Sequence, residues 1–186
     1  KPYRELFDVK EYIGLEIDRP MADNIRQAAD AFYDGTTIPF KDGHFQSVFA
    51  SEVFEHVFTL PELLKEINRV MMPGGRILIT LPFAWEQHEK PHDFARYTSF
   101  GIRYLLNENG FEVIKQVNTA GAVKSIHQMW SSYVYNNLLP SNNIAKWILQ
   151  PLLIFPLNLL GILFSKLLPY SEDMYLNNVI LAKKIQ

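Results

Sequence analysis

The apolar positions of the chain change period along its length, and each change predicts an element. Residues 47–51 (SVFAS) form a short apolar run of strand length, and residues 77–81 (ILITL) form another. Between them Leu60, Leu63, Leu64, Ile67 and Met71 recur at three- and four-residue intervals, the spacing of one apolar helical face. Thr59, Pro61 and Glu62 read as the helix start: a capping threonine, a proline in the first turn and a glutamate three residues on. Pro73-Gly74-Gly75 reads as its stop, since proline cannot continue a helix and glycine accepts the positive φ of a helix exit. Two buried strands joined through a helix predict a right-handed crossover in a parallel sheet, and so an α/β domain.

The flanking patterns extend this unit. Residues 12–18 (YIGLEID) predict a strand that delivers Glu16 and Asp18 at its end, Pro20 opens a short helix over 20–29, and residues 31–33 predict a brief strand. Residues 82–96 (PFAWEQHEKPHDFAR) predict a long polar and aromatic loop, a length that functional loops often have. A helix over 98–109 with Ile102, Leu105 and Leu106 inward, a strand over 111–119, a helix over 120–139 and a last strand over 174–185 follow. Residues 147–168 (WILQPLLIFPLNLLGILFSKLL) are long enough to span a bilayer, yet Gln150, Asn158 and Lys166 interrupt them and Pro151 and Pro156 should break a helix. Three readings stand: a pair of helices that covers a pocket or makes a homodimer, an interfacial element that dips into a membrane, and a transmembrane helix. Residues 120–170 are therefore expected as a mainly helical, apolar insertion within a single domain of residues 1–186.

Composition narrows the picture. A chain of 186 residues, 48% apolar and 20% charged, can bury one core and is not disordered. A net charge of -2 without a basic run offers no electrostatic footprint for nucleic acid. The absence of cysteine excludes disulfides, thiolate metal sites and a cysteine nucleophile. The first ten residues (KPYRELFDVK) hold no signal-peptide core, so a cytoplasmic location is expected, with peripheral membrane contact through 147–168 as the open alternative.

Several motifs then stand in order: Asp34-Gly35, a spacer, Ile38-Pro39-Phe40, an acidic turn, Phe45, an apolar strand, Glu55-His56-Val57, and Arg69-Val70-Met71-Met72-Pro73-Gly74-Gly75. Together they resemble the class I S-adenosylmethionine-dependent methyltransferases, in particular the type 11 branch, from residue 1 to about residue 111 and again near the C-terminus. The resemblance implies a Rossmann-like mixed sheet with S-adenosylmethionine as cofactor. By resemblance Glu16 holds the ribose hydroxyls with Asp18 as its neighbour, Asp34 and Gly35 contact adenine, and Ser51, Glu52 and His56 face the cofactor. Ile38 and Phe40 either flank the adenine or pack in the core. The family's first strand and its glycine-rich turn would lie upstream of residue 1. The sheet is therefore expected to lack its central first strand, leaving two rows of backbone groups unpaired unless another segment fills the gap.

Candidate chemistry concentrates in the 82–96 loop, where substrate often lies in this family. His88 or His92 could serve as base for a hydroxyl or amine acceptor, because the unperturbed imidazole titrates near neutrality. Asp93 and Arg96 are read as substrate contacts, Arg96 either on an anionic group or paired with Asp93, and Trp85 and Phe94 as pocket walls. Glu55 and His56 otherwise serve to order the loop. A metal on His88, His92 and Asp93 is disfavoured without thiolates or a helical register, so none is expected. The expected activity is methyl transfer to a small or lipid-linked acceptor, oxygen or nitrogen rather than carbon. The rival readings are a non-catalytic binding domain on the same fold and a dinucleotide oxidoreductase.

Overall fold

The computed structural model describes residues 3–18 and 27–185, so most of the helix expected over 20–29 lies outside the described residues. Strands β1 (Leu15–Ile17) and β2 (Ala31–Tyr33) pair in parallel, with Glu16 opposite Phe32. Strands β3 (Phe45–Ser51), β4 (Met71–Pro82), β5 (Phe111–Asn118) and β6 (Asn177–Lys184) form a second sheet in the order β3-β4-β6-β5. β3 runs parallel to β4, and β6 runs antiparallel to both of its neighbours, which gives the expected mixed sheet. Among the described residues no strand bridges the two sheets or pairs with β3 on the side away from β4. The rings of Tyr3 and Phe7 pack on Phe49 with centroids 5.2 Å away, so the N-terminal segment lies against β3 without joining its ladder.

Helix α1 (Leu60–Val70) buries Leu60, Leu63, Leu64, Ile67 and Val70, close to the face its spacing predicts. Two details differ. The Thr59 side chain makes no cap bond; its main-chain carbonyl instead accepts the N–H groups of Glu62 and Leu63 at 3.1 and 3.3 Å. Met71 leaves the helix with extended backbone and starts β4, so Pro73-Gly74-Gly75 lie in an irregular stretch of that strand rather than stopping the helix. The cause is Lys184, whose buried ammonium donates to the carbonyls of Asn68 and Met71 at 2.7 and 2.9 Å and satisfies the helix end before the proline.

The core lies where α1 and α2 (Ser99–Glu108) meet one face of the larger sheet. Ile77, Ile79, Leu81, Ile180, Ile102, Leu106 and Phe111 are fully buried there. Each such side chain contributes about 1.5–3 kcal/mol through burial. Thr98 caps α2 by accepting the Gly101 N–H at 3.0 Å. The side chains between them on β4 and β6, Leu78, Thr80, Val179 and Leu181, are only half-buried.

The insertion is a helical hairpin. Helix α3 (Ala122–Tyr133) runs into one π-helical turn at Val134–Leu138, and α4 (Asn143–Leu167) returns as a single helix. The expected break at Pro151 and Pro156 does not occur: each proline removes one main-chain donor, and the hydrogen-bonded turns on either side carry the helix through. The two helices touch at Gly161, where an added Cβ would lie 2.8 Å from His127 Cβ. The hairpin's ends meet beside the sheet, with Ala122 N–H donating to Ser171 O at 3.0 Å and Thr119 N–H to Asn177 O at 2.9 Å. α4 is long and apolar enough to cross a membrane, and only 6% of its most apolar 18-residue stretch is buried.

Candidate active site

The residues expected at the cofactor fall at the ends of β1, β2 and β3. Glu16 is half-buried in β1, and its Oε1 accepts the Ile17 N–H at 3.0 Å; Asp18 follows at the exposed end of the strand. Asp34 follows β2 and is exposed. Its Oδ1 accepts the N–H of Thr36, the hydroxyl of Thr36 and the N–H of Thr37, at 2.8, 2.7 and 2.7 Å. Those bonds, the Thr37 N–H first, pull its pKa down to about 2, so Asp34 is ionised at any physiological pH. None of these bonds uses Oδ2, and an ionised carboxylate oxygen is the acceptor an exocyclic amine requires. Gly35 sits at φ +88, where an added Cβ would come within 3.4 Å of Ile17, so β1 and the Asp34 turn are neighbours.

Ser51 and Glu52 face inward instead. Thr80 Oγ1 donates to Glu52 Oε1 at 2.9 Å and accepts from the Ser51 hydroxyl at 3.0 Å, while Asn177 Nδ2 donates to the same Glu52 oxygen at 2.9 Å. Glu52 adopts φ +53, a conformation a non-glycine residue holds only when its surroundings impose it. This pair ties β3 to β4 and β6, which is a structural use of both side chains. Ile38 is buried in the core and Phe40 packs beside it; Arg69 binds both of their carbonyls at 2.8 Å and pairs with Glu66, whose Oε2 accepts the Ile38 N–H at 2.9 Å.

The 82–96 loop is irregular, as expected, and folds back on the segment after β3. The Glu55 carbonyl accepts the N–H groups of Phe94 and Ala95 at 2.8 and 3.2 Å, and His56 Nδ1 lies 2.7 Å from the His92 carbonyl. Glu55 and His56 thus order the loop. Asp93 and Arg96, expected at the substrate, bind each other through two bonds of 2.5 and 2.7 Å; Arg96 also donates to the carbonyls of Glu86 and Ala95. The guanidinium holds the Asp93 carboxyl well below the usual carboxylate range, and Asp93 in turn raises Arg96. Asp93 Oδ2 also accepts the His88 N–H at 3.0 Å.

His88 and His92 part company. The segment spells His-Glu-x-x-His, but that motif binds zinc only on a helix that sets both rings on one face, and here it is a turn. His88 points in, with Nε2 3.8 Å from Glu55 Oε1 and its ring 4.8 Å from that of His56; His92 is exposed and packs on Phe94. Trp85 and Phe94, expected as pocket walls, are 38% and 46% exposed, and Phe94 meets Phe58 edge-on.

Two residues carry roles the sequence does not announce. The Glu55 carboxylate is fully buried, neither of its oxygens has a hydrogen-bond partner, and burial raises its pKa. Its only sequence signal is adjacency to His56 in a chain whose later loop holds two more histidines. The Glu86 carboxylate accepts from Ser132 and, at 2.8 Å, from Asn136, fastening the loop to α3. Nothing in the sequence pattern marks it.

Comparison with known proteins agrees with this architecture. Residues 1–79 match the methyltransferase domain family. The biotin biosynthesis bifunctional protein BioHC of Cellvibrio japonicus is 34% identical over 91 residues, covering 41% of this chain and 18% of that protein. The ubiquinone/menaquinone biosynthesis C-methyltransferase UbiE of Burkholderia mallei is 23% identical over 123 residues, covering 50% of this chain and 51% of that protein. The chain thus spans about half or less of the length of these relatives. A chain from the complex of the Haloferax volcanii Trm112 methyltransferase activator with a methyltransferase shares the fold at TM-score 0.55 and 17% identity, covering 94% of this chain and 73% of its own. Residues 1–79 are thus similar to the methyltransferase domain family, and the mixed sheet has the fold of a solved methyltransferase complex.

Proposed function

We propose that this chain binds S-adenosylmethionine along the ends of β1 and β2 and serves methyl transfer to a small or lipid-linked acceptor. The observation that carries the reading is that Glu16, in β1, and an exposed, ionised Asp34, just after the parallel neighbour β2, stand on adjacent strands, next to a glycine that keeps the turn close to β1. Open α/β sheets bind ligands at this end of their strands. Glu16 would hold the ribose hydroxyls and Asp34 the adenine amine. The bound cofactor supplies an already activated methyl group. The protein's task is then chiefly to place the acceptor in line.

An oxygen or nitrogen acceptor must also lose a proton. The Glu55, His56 and His88 cluster is where this chain can help it leave. The hairpin supports a lipid-linked acceptor. A single membrane crossing by α4 would strand β6 away from β4 and β5, between which it is paired. α4 instead lies along a lipid surface while both hairpin ends stay at the sheet. Lys146 and Trp147 near one end, and Lys166 and Tyr170 at the other, suit the headgroup zone. Glu86 then couples that surface to the loop of the site.

The test is transfer of labelled methyl from S-adenosylmethionine in a cell extract, followed by separation of lipid and aqueous fractions and NMR of the product. Label on a lipid oxygen or nitrogen is the expected result. Label confined to carbon would overturn the acceptor assignment, and no transfer at all would leave a binding domain on the same fold.

A further inference from the structure

The Glu55 carboxylate poses a problem that methyl transfer alone does not solve. It is fully buried, and neither oxygen has a hydrogen-bond partner, an arrangement that disfavours an ionised group left unpaired. Two imidazole nitrogens, His56 Nε2 and His88 Nε2, each lie 3.8 Å from Oε1, too far for a hydrogen bond. All three atoms lie within 4.8 Å of one another.

Both rings are oriented from behind. His56 Nδ1 stands 2.7 Å from the His92 carbonyl, which can only accept, so Nδ1 carries the proton and Nε2 is left as a lone pair. His88 Nδ1 faces two acceptors, the Glu86 carbonyl at 3.3 Å and Asp93 Oδ2 at 3.4 Å, and one donor, the Arg96 guanidinium at 3.5 Å; the two nearer acceptors favour the same tautomer. Arg96, bound to Asp93 and to the Glu86 carbonyl, holds that backing in place. Two imidazole lone pairs and one unpartnered carboxylate therefore converge, each histidine supported by a carbonyl or carboxylate. Backing of this kind is what metal-ligating histidines have.

We propose that Glu55 Oε1, His56 Nε2 and His88 Nε2 bind a divalent transition-metal ion, zinc being the best match to two imidazoles and one carboxylate. A tetrahedral zinc holds its nitrogen and oxygen ligands at about 2.0–2.2 Å, and so about 3.3 Å from one another. The observed separations close to that value by a shift of roughly 0.5–1.5 Å, which the half-buried His88 on its irregular loop can supply. Three protein ligands leave a fourth position open, the arrangement of catalytic rather than structural zinc. An ion there would acidify a hydroxyl bound to it. The ligand set is not the His88, His92 and Asp93 set disfavoured on sequence grounds: His92 is exposed, and Asp93 backs His88 instead of binding.

Metal binding is measured without cofactor, so its failure and the failure of the methyltransferase reading are separate results. Tag-free protein is stripped with chelator, titrated with zinc chloride against a chromophoric chelator, and assayed for metal after gel filtration. One zinc per chain is expected, with X-ray absorption showing imidazole scattering. Binding should be lost in H56A/H88A and in Glu55→Gln, and unchanged in His92→Ala. Melting curves control for folding: zinc should raise the Tm of the unsubstituted protein but not of Glu55→Gln, whose metal-free Tm should equal or exceed the original because the buried charge is gone. Failure of the unsubstituted protein to retain zinc, retention by H56A/H88A, or equal loss in His92→Ala would overturn the proposal.

Discussion

Helices α1 and α4 are both rich in leucine and isoleucine, yet the fold treats them oppositely. In α1 the apolar residues keep a three- and four-residue spacing, and the fold buries five of them. In α4 they occupy every face, and the one fully buried residue is Gly161. Periodicity, not apolar content, tells a globular domain which side of a helix to bury. A helix apolar all round needs a second environment, and in this chain the proposed environment is lipid.

The largest effect should come from cutting into α1. Leu64→Ala removes a fully buried side chain and should cost about 2–5 kcal/mol in denaturant unfolding. Its counterpart Leu159→Ala, on a residue 53% exposed, should stay within about 0.5 kcal/mol. Flotation with anionic lipid vesicles should invert that ranking. Serine at Leu152, Leu159 and Leu163 together should abolish co-flotation, whereas Leu64→Ala should leave it intact. Equal destabilisation by both alanines would mean that α4 is a core element after all.

Next in size is the ion pair within the 82–96 loop. Asp93→Asn removes the partner of Arg96 and should cost about 2–4 kcal/mol, below the full penalty for a buried pair because Arg96 is 22% exposed. Arg96 holds the Asp93 carboxyl below its ordinary range, so this stabilisation is complete above the usual carboxylate pKa and fades as pH falls through the lowered one. Acid unfolding monitored by circular dichroism should therefore start at higher pH in Asp93→Asn. Gly161→Val, which drives a side chain into His127, should cost about 1–3 kcal/mol and loosen the hairpin without touching the sheet. The smallest effect is at the Asp34 turn. Thr36→Ala removes the hydroxyl donor and should move the Asp34 pKa up from about 2 toward 3.8, read by carboxyl NMR titration. The turn's own contribution to stability is present above pH 3.8 and is lost as pH falls through about 2.

The β3-α1-β4 unit is legible in the sequence because its elements are local: strand and helix periods alternate within one short stretch. The split sheet is legible too, through the position of Glu16 and Asp34 relative to a strand that the resemblance places upstream. What the pattern does not show depends on distant partners. The end of α1 is set by Lys184, which is 116 residues from Asn68 along the chain, and no helix-stop rule contains it. The continuity of α4 runs against two prolines whose effect local rules overstate. The Glu55 cluster joins residues on either side of α1 and β4. Sequence spacing groups His88 with His92, and the turn between them separates the two rings.

The direct test of a cofactor site at the ends of β1 and β2 is calorimetric titration of S-adenosylhomocysteine. It should be run on this chain and on the protein carrying any residues that precede Lys1 in its gene. Saturable binding by the latter is predicted, lost in Glu16→Ala and in Asp34→Ala and retained in Leu159→Ala. No binding by either protein, or binding unchanged in both acidic-residue variants, would contradict it.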